Sequence, residues 1–201
     1  CMEHLSWSNR HFGGIGEKLL AQRDNNSMLY LNYNTGRRIS ANGRSLANTL
    51  EDLIERNPRI TSIDLIGHSM GGLVSRSALF YGKQNMQQWI HMVNNLVCVG
   101  SPHHGAVLER FGYQLQDKIG RFPLVKIVGH VVNIRSNGIL DLRHGSVRDD
   151  DWEHNDIRIG FMDDNRKPAP LPSHINNFLI AGTLEFENRK NLTLKIICDY
   201  L

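Results

Sequence analysis

Cysteine is scarce in this chain: three residues in 201, at Cys1, Cys98 and Cys198. An odd and small count excludes a disulfide framework. Because Cys98 lies inside an apolar strand candidate, the thiols are expected to be reduced, which favours a cytoplasmic compartment. Aromatic residues make up only 7% of the chain, and Lys and Arg are scattered, with no block longer than Arg37-Arg38 or Arg189-Lys190. A net charge of +3 without a basic stripe or interleaved aromatics excludes nucleic acid as the expected partner. No apolar run reaches the length of a membrane span. Metal-ligand spacing is missing too: His103 and His104 are adjacent rather than one helical turn apart, so no metal is expected. Asp149-Asp150-Asp151 lacks the alternating carboxylates of a calcium loop and reads as a solvated face. No cofactor motif is present.

What the chain does have is a hydrophobic fraction of 40%, enough for the core of one domain. Its apolar residues alternate between strand-like runs and helical spacing. A strand is expected over Ser27–Tyr33, closed by the turn signal Asn34-Thr35-Gly36. A helix follows from about Asn42 to Arg56, with Leu46, Leu50, Leu53 and Ile54 on one face and Asn57-Pro58 as its stop. Next come a strand over Ile60–Ile66, a helix over Met70–Tyr81 closed by Gly82, a short helix around Gln84–Met92, and strands over Asn95–Gly100 and Asn177–Ala181. Near-continuous apolar strands separated by helices predict an α/β fold, a doubly wound and mostly parallel sheet with helices on both faces. In such sheets the working residues gather at the carboxyl ends of the strands.

One of those ends carries the strongest motif. Gly67-His68-Ser69-Met70-Gly71 is a G-x-S-x-G pattern that follows an apolar strand and opens a helix, the context in which it acts as a nucleophile elbow. A serine on such a turn has its hydroxyl thrust clear of the backbone, and the flanking glycines remove side chains that would collide with strand and helix. Ser69 is therefore the candidate nucleophile, and the Met70 N–H, at the helix N-terminus, the candidate oxyanion donor. A near-miss, Gly43-Arg44-Ser45-Leu46-Ala47, lacks the upstream strand. Ser45 falls at the start of an amphipathic helix, where N-terminal capping is its expected task.

The connection between the strands at 95–100 and 177–181 is far longer than an ordinary loop. Its first half carries helical apolar spacing, from Val107 and Leu108 through Phe111, Leu115 and Ile119 to Val131 and Val132. It reads either as two extra helices packed on the core or as a lid roofing Ser69. The chain is taken as one partial domain over 1–201, with 102–175 a cap-like insertion. The second half, from Asp149 to Pro172, turns acidic and then proline-rich and reads as an irregular surface loop.

With these motifs in view, Gly67-His68-Ser69-Met70-Gly71-Gly72-Leu73-Val74-Ser75-Arg76-Ser77 resembles the nucleophile region of α/β-hydrolases of the lipase and GPI inositol-deacylase-like branch. Tyr33-Asn34-Thr35-Gly36-Arg37, Gly100-Ser101-Pro102-His103-His104-Gly105 and Gly138–Gly145 are similar to the same group, so that the resemblance spans about residues 28 to 183. It implies an α/β-hydrolase fold and hydrolysis of a small-molecule or lipid ester through an acyl-enzyme on Ser69, without a cofactor. The cap is then the expected point of peripheral membrane contact.

The resemblance also implies a triad acid and histidine after later strands, and a second oxyanion N–H from an N-terminal turn near or before Cys1. The tail 183–201 contains no histidine. His174 precedes its strand and so belongs to the wrong edge of the sheet. His103 and His104 lie on the correct edge but match turn residues of the family. His68 sits beside the nucleophile, where neighbouring side chains point apart, and nothing in the spacing recruits His144. The expectation is a hydrolase fragment missing strands at both ends, with acid and base beyond Leu201, and catalytically crippled as it stands. The alternative is a non-catalytic hydrolase-like module. Asn25-Asn26-Ser27 and Asn191-Leu192-Thr193 fit the glycosylation pattern.

Overall fold

The computed structural model describes residues 15–21, 26–103, 136–153, 166–187 and 191–200. The chain divides into two compact units, Cys1–Thr35 and Gly36–Leu201. In the first, helix α1 (Ile15–Leu20) approaches the segment 28–30 so closely that a Cβ on Gly16 would lie 3.3 Å from the Met28 side chain. The strand expected over Ser27–Tyr33 does not form: 26–34 carries no ladder pairing. Leu29, Tyr30 and Leu31 stay 69%, 41% and 46% exposed, so alternation alone, without a partner strand or a face to bury, leaves this segment irregular.

The second unit holds the sheet. Strands β1 (Ile63–His68), β2 (Val93–Val99), β3 (Asn176–Glu187) and β4 (Asn191–Tyr200) lie in the order β1-β2-β3-β4. The first two pairings are parallel, with Ile66 beside Val97 and Val97 beside Phe178, and β3–β4 is an antiparallel hairpin. The α/β reading of the sequence thus holds for a three-strand parallel sheet with helices. The strand expected to stop at Ala181 runs on to Glu187 and turns back as β4. Thr, Leu and Ile dominate 192–197, residue types that suit a pleated surface.

Helix α2 (Ile39–Arg56) starts three residues before the expected Asn42, and the cause lies a hundred residues away. The Asp141 carboxylate accepts the Ile39 N–H at 2.8 Å and an Arg38 guanidinium N–H at 2.6 Å, capping the helix from another element. Ser45 is consequently not a cap. It sits mid-helix and donates back to the Ala41 carbonyl at 3.0 Å, as interior serines do.

Helix α3 (Met70–Gln84) lies against β1 and β2 with Leu73, Val74, Ala78 and Leu79 at or near complete burial. It continues past Gly82 rather than ending there. A Cβ at Gly82 would come within 2.8 Å of the Trp89 ring, so this glycine lets the chain pass closely instead of stopping the helix. The short helix expected around Gln84–Met92 is a 3-10 helix, Gln88–Met92. Its first N–H groups donate to the two Glu51 carboxylate oxygens at 3.0 and 3.1 Å.

Of the connection after β2, 104–135 lies outside the described residues. The remainder includes helices α4 (Asn137–His144) and α5 (Asp150–Glu153). The expected solvated acidic loop is corrected here. Asp151 is buried, accepting N–H bonds from Val147, Arg148 and Lys167 at 2.9, 3.0 and 3.1 Å. Asp149 pairs with Arg44, and Asp150 with Arg148 at 2.6 Å. All three carboxylates are engaged; for Asp151, the buried one, leaving it unpaired would be costly.

Candidate functional site

The carboxyl ends of β1 and β2 lie at one edge beside Ile180, midway along β3, and the chain ties the three strands together there. The Ser69 N–H donates to the Val99 carbonyl at 2.9 Å, and the Gly100 N–H to Ile180 at 2.7 Å. Ser69 stands between β1 and α3 with φ 53 and ψ −121. A non-glycine residue in that region costs roughly 1–3 kcal/mol and persists only where its surroundings enforce it. The enforcement is visible. A Cβ on Gly67 would fall 2.6 Å from the Gly71 carbonyl carbon, against backbone, while one on Gly72 would fall 2.8 Å from the Ser101 Cβ and 3.1 Å from the Cys98 sulfur. The turn is therefore clamped between the start of α3 and the segment that leaves β2.

Met70 is the first residue of α3, so its N–H is among those without an intrahelical acceptor. Its side chain is buried, which anchors the helix start. Among the described residues no hydrogen bond reaches Ser69 Oγ.

The histidines fall apart spatially. His103 is buried on the carboxyl edge, four residues beyond Val99, and its N–H donates to Ser101 at 3.0 Å. His104 lies outside the described residues. His68 ends β1 and is exposed, and His144 ends α4, also exposed. His174 precedes β3 at the opposite edge, its Nε2 3.1 Å from the Ile90 carbonyl and its ring 6.2 Å from that of His91. Cys98 is buried beneath the turn, and burial pushes its thiol up to about 11 against the pull of Arg76. It is protonated and unreactive at neutral pH.

Sequence reasoning missed a second cluster. Arg76, His103, Gly145, Val147, Asp151, Arg166, Lys167, Pro168 and Ala169 line a cavity of about 190 Å³. Arg76 lies four residues beyond Gly72 and so on the same stripe of α3. A charged residue on an otherwise buried stripe was the legible signal. Among the described residues no group of three or more His, Cys, Asp or Glu side chains is arranged to hold a metal ion. No described helix is long and apolar enough to cross a membrane.

The profile of the PGAP1-like alpha/beta domain matches residues 4–201. Among solved structures, the mature form of the Bacillus licheniformis lipase BlEst2 is similar, with 26% identity, a TM-score of 0.38, and coverage of 54% of this chain and 38% of the lipase. The chain thus spans well under half of that lipase's length. No curated protein matches it significantly.

Proposed function

Because the chain belongs to the PGAP1-like alpha/beta domain family, an α/β-hydrolase-like family, we propose that it is the nucleophile-bearing part of a serine hydrolase acting on carboxylic esters. The observation that carries this is the conformation of Ser69: a serine at φ 53, ψ −121 on a strand-to-helix turn at the carboxyl edge of a parallel sheet. Packing alone gives no reason to hold a serine at that cost, whereas a hydroxyl that must stand clear of its neighbours does.

In this reading Ser69 Oγ attacks the ester carbonyl as a histidine, oriented by a carboxylate, takes its proton. The tetrahedral oxyanion accepts the Met70 N–H, and water later releases the acyl group. One oxyanion donor contributes about 3–4 kcal/mol to transition-state stabilisation. The base, the acid and a second donor come from outside the described residues. The segment 102–175 serves as a cap over the acyl group, and lipid esters and a peripheral membrane contact follow from its apolar first half.

The absence of a hydrogen bond to Ser69 Oγ among the described residues favours a second reading, a hydrolase-like module that keeps the elbow as architecture. A fluorophosphonate probe separates the two. Labelling that disappears in Ser69→Ala, with an unchanged far-UV spectrum, is expected for the hydrolase. A folded chain that takes no Ser69-dependent label is a non-catalytic module.

A further inference from the structure

The turn that leaves β2 is held at both ends, and one hold comes from far along the chain. Gly100 opens the turn at φ 58 and donates its N–H to the Ile180 carbonyl at 2.7 Å, which fixes it to β3. The His103 N–H closes on the Ser101 carbonyl at 3.0 Å. The His103 carbonyl in turn accepts from Arg166 Nη1, which also lies 3.5 Å from the Gly145 carbonyl. One guanidinium thereby bridges the turn to the left-handed glycine that follows α4.

What this turn touches is the elbow. The Ser101 side chain fills the space beside Gly72, where an added Cβ would fall 2.8 Å from the Ser101 Cβ. The Gly72 N–H donates to the Ser69 carbonyl at 3.2 Å, so Ser101 lies against the first turn of α3, the turn that Ser69 opens. A serine at φ 53, ψ −121 keeps that conformation only while its surroundings enforce it. One restraint is the Val99 carbonyl, which accepts the Ser69 N–H at 2.9 Å. The other is Ser101, and it is as firm as the turn that carries it. A guanidinium donor holds a carbonyl more strongly than a neutral donor does. Arg76 of α3 donates to the Ala169 carbonyl, three residues beyond Arg166. The contacts therefore close a ring, from Ser69 along α3 to Arg76, across to Ala169, and back through Arg166, His103 and Ser101 to Gly72.

We infer that Arg166 is a positioning residue for Ser69. By holding the His103 carbonyl it keeps Ser101 against Gly72, and so keeps the serine in its costly conformation. The consequence for chemistry rests on Ser69 being the nucleophile, whereas the consequence for its conformation does not.

Two rates measured on the whole chain test this: hydrogen exchange of the Ser69 amide, and fluorophosphonate labelling of Ser69. Arg166→Met is expected to speed Ser69 exchange roughly tenfold or more, as for loss of a hydrogen bond to a charged group, and to slow labelling. The Val97 amide, paired on both sides in the sheet, is expected to keep its protection, as in a local opening. Arg166→Lys keeps a donor on a long stem and is expected to lie closer to the parent than to Arg166→Met. Arg148→Gln loosens the same connection at Pro168 and Asp150 without touching the turn, and should leave Ser69 exchange as in the parent. Should Arg166→Met fail to fold, Arg166→Gln, whose amide is too short for the guanidinium's reach, carries the same comparison. A parent that takes no Ser69-dependent label removes the hydrolase reading and leaves the exchange rates to decide the positioning role. Unchanged Ser69 exchange overturns the inference, as does equal acceleration in Arg148→Gln, equal loss of protection at Val97, or a lysine variant no better than methionine.

Discussion

Two glycines of the elbow do different work, and the difference is measurable. The space at Gly72 is closed by side chains, those of Ser101 and Cys98, whereas the space at Gly67 is closed by the backbone of Gly71 and Gly72. Gly72→Ala is therefore expected to lower stability by about 1–3 kcal/mol, as overpacking does, and Ser101→Gly in the same chain should recover most of it. Gly67→Ala should cost at least as much and gain nothing from Ser101→Gly, because backbone cannot be trimmed. Urea denaturation of the three single and two double variants checks this. Recovery in both double variants would mean that the turn moves as a body and is not clamped. At this scale much was legible in the sequence. A glycine two before a serine and another three after it, behind an apolar strand, already say that other atoms come close there. Which atom each glycine faces was not legible, since Ser101 lies 29 positions beyond Gly72 and is brought to it only by the parallel crossover through β2.

Elements were read well where their signal is internal and poorly where a distant side chain sets it. The apolar face of α2 and the strands β1 and β2 follow from periodicity carried by their own residues. The start of α2 does not. Arg38 precedes the first turn, no side chain of its own caps the helix, and the carboxylate that satisfies Ile39 N–H belongs to α4. The same holds for the 3-10 helix, whose opening N–H groups rely on Glu51. Asp141 is itself raised above the ordinary carboxylate value by burial, opposed by its bonds to Ile39 and Arg38. It nonetheless holds the partly exposed Arg38 guanidinium, which also lies 4.5 Å over the Trp152 ring. Asp141→Ala is expected to destabilise the second unit by about 2–4 kcal/mol, combining a lost cap with a stranded partner charge. Asp141→Asn, which still accepts the Ile39 N–H, should cost less than half as much. A Tm that falls equally in both variants would place the effect in the charge alone and not in the cap.

Across the whole second unit, the connection from β2 to β3 is fastened to α3 by bonds that no local pattern in the sequence announces. Ser77 Oγ donates to the Val147 carbonyl at 2.6 Å, and the Asp149 N–H donates to the Tyr81 hydroxyl at 2.9 Å. Arg148 lies 4.4 Å over the Phe80 ring, and Arg76 reaches the Ala169 carbonyl. Ser77 and Tyr81 sit one turn apart on α3, so a single helix face receives the stretch 145–149 and, through Arg76, the stretch 166–169. Asp151 joins those two stretches, bonding Val147 and Arg148 on one side and Lys167 on the other. An acidic, proline-rich composition predicts a loose surface loop because it carries few apolar residues to bury. Here one buried carboxylate substitutes for them. Hydrogen bonds to a charged acceptor contribute about 1.5–3 kcal/mol each and are not additive when shared by one group. Asp151→Ala should therefore weaken the attachment of the connection by about 3 kcal/mol while leaving β2, paired on both sides, untouched. Limited proteolysis is expected to cut the variant within 145–170 under conditions where the parent resists, while β2 amides keep their hydrogen-exchange protection, the signature of a local opening. Asp151→Asn, with one acceptor oxygen left, should fall between. If β2 amides lose protection in step with cleavage of the connection, the two form one cooperative unit, and Asp151 holds the sheet together as well as its covering segment.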